Sequence, residues 1–145
     1  MPKLSSLFAL SAGLALAVPA VPVFAADMQP LTLSKECSQY SGNNPSFCTV
    51  LESSLPALKK GTKILYYGPV TNNPAFSSNN VLIDDGAGNT AMGNCVVDFG
   101  AGPHGICAFY AGSGTLSGFS AIVQVSVDDK SVWHWAGSYT MTAQK

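Results

Sequence analysis

The chain contains no arginine, and charged residues of both signs make up only 10% of it, against about 25% in an average soluble protein. Its seven cations are all lysines. No basic run or patch occurs, which excludes the electrostatic footprint of a nucleic-acid binder or of a protein held to an anionic membrane surface. No Cys-x₂-Cys spacing exists, and His104 and His134 follow no ligand pattern, so neither a metal nor a cofactor is expected. Ser-His-Asp, Gly-x-Ser-x-Gly and His-Glu-x-x-His arrangements are missing, so no hydrolase constellation is legible and no catalytic residue can be named. Gly112-Ser113-Gly114 is followed by a strand pattern and by no Gly-Lys-Ser/Thr, which excludes a phosphate loop. Asp84-Asp85-Gly86-Ala87-Gly88-Asn89 lacks the alternating carboxylates of a calcium loop, and Cys95 stands where the late glutamate belongs.

Long apolar runs are missing everywhere except at the start. Met1 to Lys3 carry positive charge, Leu4 to Phe24 are almost wholly apolar, and Val23-Phe24-Ala25 offers a peptidase site. Residues 1–25 therefore read as a signal peptide cut after Ala25. Pro19 and Pro22 interrupt the run and no charged stop-transfer cluster follows, so no membrane anchor is expected. The first cysteine, Cys37, lies well past the cut, which leaves no lipid-anchored cysteine at the mature terminus. The product is expected to be periplasmic or secreted, with residues 26–145 forming one domain.

Four cysteines remain, and an even count in an exported chain suggests two disulfides. Three pairings are possible. Local spacing favours Cys37 with Cys48, and Cys95 with Cys107 across a hairpin whose loop is Gly100-Ala-Gly-Pro-His-Gly105. Residues 26–34 read as an extended leader. In residues 35–60, Phe47, Val50, Leu51, Leu55 and Leu58 fall near helical spacing, with Pro56 interrupting, so a short helix or two turns, not one long helix, is expected. Residues 26–61 are thus set apart as a disulfide-containing N-terminal segment, and Lys59, Lys60 and Lys63 as a solvated rim.

From Thr62 onward the apolar period is two. Strands are expected at 63–67, 80–84, 90–99, 106–111, 119–127 and 132–142, joined by short Gly-, Asn- and Asp-rich turns. Such a meander curls into an antiparallel barrel, which removes exposed edges, so residues 62–145 are assigned to an all-β barrel. Phe119, Ala121, Val123, Val125 and Val127 share one face, with Ile122 breaking the polar alternation of the other. Trp133, Trp135, Tyr139 and Met141 share a face of the last strand, which turns His134 outward. These rings either pack an ordinary core or line an apolar cavity. On the cavity reading the candidate ligand-binding residues are Tyr66, Phe119, Trp133, Trp135 and Tyr139. Asp84, ending a strand, is the candidate polar group at the barrel mouth.

Three stretches together carry a resemblance: Val81-Leu-Ile-Asp-Asp-Gly-Ala-Gly-Asn-Thr-Ala91, Ala111-Gly-Ser-Gly-Thr-Leu-Ser-Gly-Phe-Ser-Ala121 and Trp133-His-Trp-Ala-Gly-Ser-Tyr139. Over about residues 62–142 the chain resembles the bacterial allene oxide cyclase barrel-like proteins, a group related to plant allene oxide cyclases and to dirigent proteins. The resemblance implies a lipocalin-like antiparallel barrel of eight strands with an apolar centre, and a homotrimer. Six strands are plain in the sequence; the other two are expected from the turn-rich stretch around 68–80 and a split in a long segment. The cavity carboxylate of the plant enzymes has no assignable counterpart, and the arginine of dirigent-type sites has none. The functional expectation is a barrel that binds a small hydrophobic molecule, with cyclase- or dirigent-like steering as its extension. The alternative is a non-catalytic exported module acting through its surface or oligomer interface.

Overall fold

A computed structural model describes residues 27–41, 46–67, 76–100 and 102–142. The proposed signal peptide lies outside the described residues. Eight antiparallel strands form a closed barrel in strict sequence order: β1 (Gln29–Glu36), β2 (Ser46–Ser53), β3 (Lys63–Tyr67), β4 (Phe76–Asp84), β5 (Thr90–Asp98), β6 (His104–Gly112), β7 (Phe119–Val127) and β8 (Trp133–Met141). Pairing of β1 with β8 closes the barrel and leaves no free edge. The six strands expected from period-two patterning correspond to β3–β8.

The two remaining strands are not where the sequence placed them. They are β1 and β2, in the segment expected to be a leader and a short helix. Among the described residues the only helical element is a 3₁₀ turn, Gly114–Leu116. The helical spacing of Phe47, Val50 and Leu51 is misleading because two of the three inward positions of early β2 are Ser46 and Cys48. Both are buried with Val50, but neither reads as a core residue by hydrophobicity alone. Lys59-Lys60-Gly61 makes the turn between β2 and β3. There the Thr62 amide donates to the Lys59 carbonyl at 3.0 Å and Gly61 adopts φ +93°. A boundary at residue 61 therefore divides nothing: the barrel begins at Gln29.

Alternation then sets the interior. β7 buries Phe119, Ala121, Val123 and Val125, while Ile122 projects outward, 54% exposed. The two cystines link Cys37 to Cys48 and Cys95 to Cys107. The second joins residues directly opposite each other on β5 and β6. Gly93, opposite Phe109 in the same pair, has no room for a side chain, since a Cβ there would run into the Phe109 ring.

The barrel has two unlike ends. At the lower end, where β2, β4 and β6 finish, three leucines from connecting segments are buried: Leu55 and Leu58 between β2 and β3, and Leu116 between β6 and β7. Above them Phe109 contacts Phe119 and Trp135, with centroids 6.3 and 5.0 Å apart, and Phe119 meets Tyr139 at 6.1 Å. Buried side chains fill this half. Among the described residues no such layer closes the upper end, where β1, β3, β5 and β7 finish.

Candidate functional site

A cavity of about 220 Å³ occupies the upper half of the barrel. Its deep part is formed by buried side chains: Lys35, Tyr66, Trp135 and the sulfurs of Cys48, Cys95 and Cys107. Half-buried Tyr40, Val97, Phe99 and Trp133 surround it nearer the strand ends. Tyr40 meets Tyr66 edge-on at 5.2 Å, and Phe99 meets Trp133 edge-on at 6.2 Å. The wall is therefore aromatic and sulfur-rich. Both disulfides are part of it, so the bonds that tie β1 to β2 and β5 to β6 also shape the cavity.

Of the residues expected to bind ligand, Tyr66, Trp133 and Trp135 meet here. Phe119 and Tyr139 do not. They lie near the lower ends of β7 and β8 and belong to the packed half. Asp84 is likewise at the lower end, on the face of β4 opposite buried Val81 and Ile83. Its Oδ1 accepts from the Gly86 amide at 2.8 Å, so it caps the β4–β5 turn and faces no cavity. In that turn Asp85 accepts from the Thr62 hydroxyl at 2.6 Å and pairs with Lys59 at 3.5 Å. His134 faces outward and contacts Asp128 at 2.9 Å.

The residue that sequence reading passed over is Lys35. It is 2% exposed and is the only lysine inside the barrel among the described residues. Three features place it there. Leu31, Leu33 and Lys35 alternate on the inward face of β1. The register between β1 and β2 shifts between Ser34 and Lys35, which brings Lys35 opposite buried Val50. Such a shift re-aims a side chain locally. On the other side Lys35 pairs with Trp133 of β8, beside the Leu33–Trp135 pair.

The environment of the amine is unusual for a lysine. Nζ donates a hydrogen bond to the Tyr66 hydroxyl. It lies 4.4 Å from the Trp135 ring centroid and 5.0 Å from that of Tyr66. No carboxylate lines the cavity among the described residues. Ring faces attract a cation, but they do not replace the hydration a buried ammonium loses. Burial accordingly lowers the Lys35 pKa from 10.5 to about 7. Burial, with a smaller push from Tyr40, raises the Tyr66 phenol, which stays protonated. Trp135 adds a second buried donor, since its Nε1 has no partner among the described residues. The cavity thus offers donors and an amine poised between its two protonation states, in apolar surroundings.

Among the described residues no group of three or more His, Cys, Asp or Glu side chains is placed to hold a metal ion. No helix there is long and apolar enough to cross a membrane. Compared with protein-family models, curated proteins and solved structures, the chain matches none.

Proposed function

We propose that this chain is an exported β-barrel protein that binds a small hydrophobic molecule in its upper cavity. The observation that carries this reading is the contrast between the two halves of one barrel. The lower half is filled by Phe109, Phe119, Leu116 and their neighbours, whereas the upper half retains about 220 Å³ lined by aromatic rings. An empty apolar space forfeits contacts that filling side chains would have made, so its retention favours a role as a binding site. The volume limits the ligand. Drug-sized pockets span roughly 300–1,000 Å³, and an apolar cavity of about 150 Å³ holds benzene. A single ring or a short chain fits this volume; a long acyl chain does not. The two disulfides are compatible with an oxidising, exported setting, and the periplasm or the extracellular space is proposed on that basis together with the N-terminal sequence.

Cyclase- or dirigent-like steering remains part of the proposal through the family resemblance, which a closed barrel of eight antiparallel strands suits. The surface-module alternative also has an observation in its favour. Met92, Ile106, Tyr110 and Ile122, each at least 50% exposed, lie on the outer face of β5–β7, an apolar area of the kind that serves association.

Titration with toluene tests the cavity reading, because both tryptophans line the cavity and report on it. Saturable change in emission is expected. Trp133→Ala should weaken binding at least about fivefold at a modest stability cost, since Trp133 is half-buried. Trp135→Leu is a poorer probe, because Trp135 is 1% exposed against Phe109 and its truncation costs about 2–4 kcal/mol of folding stability. Unchanged emission across toluene, short alkanols and other small apolar compounds would favour the surface reading.

A further inference from the structure

We propose that Lys35 captures a small apolar aldehyde inside the barrel as a Schiff base, with the Tyr66 hydroxyl as its proton relay. The proposal deepens the cavity-binding reading and rests on it. Its ground is the placement of one buried primary amine against an apolar, aromatic wall, in hydrogen-bond contact with a phenol and, among the described residues, with no acid lining the same cavity. Lys35, Tyr40 and Tyr66 are the only ionisable side chains lining the cavity among the described residues. They come from β1, from the residues after β1, and from β3; the remaining wall on β2, β5, β6, β7 and β8 is cystine, aliphatic or aromatic. A structural lysine would be expected to reach a carboxylate or solvent. Among the described residues this one reaches neither.

The chemistry follows from those neighbours. The nucleophile in imine formation is the free amine, and desolvation in an apolar pocket is one of the ways a protein obtains it at neutral pH. Burial of Lys35 has that effect. The Nζ lone pair adds to the aldehyde carbon, and Tyr66 gives its proton to the carbonyl oxygen while taking one from nitrogen, which yields a carbinolamine. The carbinolamine hydroxyl then leaves as water with a proton from Tyr66, the remaining N–H proton returns to Tyr66, and the C=N bond closes. The sum is amine plus aldehyde to imine plus water, with no oxidant or reductant. The Tyr66 phenol is held protonated by burial and is in contact with Nζ before any ligand arrives. The apolar wall disfavours the water needed for the reverse step. The aldehyde substituent is limited to a single ring or a short chain by the cavity volume.

A carboxylate ligand is the competing occupant, since it would pair with the ammonium form of the same lysine. The two separate cleanly by experiment. The mature protein is incubated at pH 7 with benzaldehyde and sodium cyanoborohydride, which reduces an imine to a stable benzylamine, and is then analysed by intact mass and peptide mapping. Besides any label at the α-amine of the mature chain, whose ordinary pKa of about 8 also leaves it partly free at pH 7, one benzyl group is expected on Lys35, located by the peptide map. At pH 7 the free-amine fraction of Lys35 exceeds that of an ordinary exposed lysine by roughly 10³, so labelling at least about tenfold faster than at Lys59, Lys60, Lys63 or Lys130 is expected even after the lower nucleophilicity of a weaker base. Tyr66→Phe should slow the adduct, and Lys35→Met should abolish it. Mapping of the unsubstituted protein decides the matter even if either variant folds poorly. Equal labelling of the surface lysines would overturn the proposal. So would benzoate binding more tightly than benzaldehyde, with proton uptake and no adduct. Toluene binding without any benzaldehyde adduct would overturn the Schiff base and leave the cavity reading standing, whereas loss of toluene binding would remove both.

Discussion

Lys35 concentrates the physical tension of this molecule in one side chain. An amine that is fully solvated in the unfolded chain becomes 2% exposed in the barrel, and its pKa falls from 10.5 to about 7. The unfolded chain then binds more protons than the folded one between about pH 7 and pH 10.5, so stability rises with pH across that window. Below about pH 7 both states are protonated and the full desolvation cost persists. Urea denaturation of the unsubstituted protein should therefore show a gain of a few kcal/mol between pH 7 and pH 9.5, attenuated where other groups begin to titrate. Lys35→Met, which keeps an unbranched chain of similar length, should abolish this rise and be the more stable protein at pH 7, in line with replacements of buried charge by apolar groups. A wild-type profile as flat as that of the variant would contradict the burial of a free amine. The residue was legible in principle. Leu31, Leu33 and Lys35 alternate, but a lysine ending a short apolar alternation reads as the point where a strand reaches solvent. Only closure of β1 onto β8 places Trp135 over it, while Tyr66 reaches it across the barrel from β3.

At the scale of elements, β1 and β2 show why hydrophobic period is a weaker guide in half-polar strands. β3, β7 and β8 announce themselves because β-branched and aromatic residues occupy most of their inward positions; β5 and β6, which turn Ala91, Gly93, Cys95 and Cys107 inward, are instead legible as a hairpin around the Gly/Pro loop. Early β2 turns Ser46 and Cys48 inward, so the apolar signal shifts to Phe47 and Leu51 on the other face. Phe47 lies beneath the Lys63 amine, 5.0 Å from its ring centroid, which shields an outward aromatic ring. The cystines hold these elements at the cavity. Each closes a short loop, with separations of 11 and 12 residues, and each loop removes conformational freedom from the unfolded chain. Replacing Cys95 and Cys107 together by alanine should cost about 2–4 kcal/mol, measured by urea denaturation under non-reducing conditions. It should also weaken toluene binding, because both sulfurs line the wall. Loss of stability with binding unchanged would show that the cavity does not depend on this link. Sequence proximity favoured both pairings, and for Cys95–Cys107 the hairpin register supplies the reason: the two residues stand opposite each other.

For the whole molecule, the outward apolar residues and the N-terminal sequence bear on where the chain acts and with what. The barrel of eight strands begins at Gln29, a few residues after the expected cut, so processing after Ala25 leaves the folded unit whole. Intact mass of exported protein should correspond to a chain starting at Ala26, and a mass retaining residues 1–25 would refute the signal reading. Light scattering on the same material tests the proposed trimer. If the outer face of β5–β7 is the contact, Ile122→Lys should convert an oligomer to a monomer with far-UV absorption of the fold unchanged, because the side chain is 54% exposed and contributes little to the core.

The sequence by itself determined the all-β class, the six central strands, the favoured local disulfide pairs and the inward face of β7, because each depends on near neighbours or on a period of two. What the tertiary structure decided was which inward rings face a space and which face one another. Trp135 and Phe119 carry equivalent signals in the sequence, yet one lines the cavity and the other fills the lower core. That difference is set by Leu55, Leu58 and Leu116, which come from connecting segments outside any strand pattern and occupy one end of the barrel only. The position of Lys35 was decided the same way. A strand dictates the side on which its residues project, but the charge state of a side chain depends on what the closed barrel places around it.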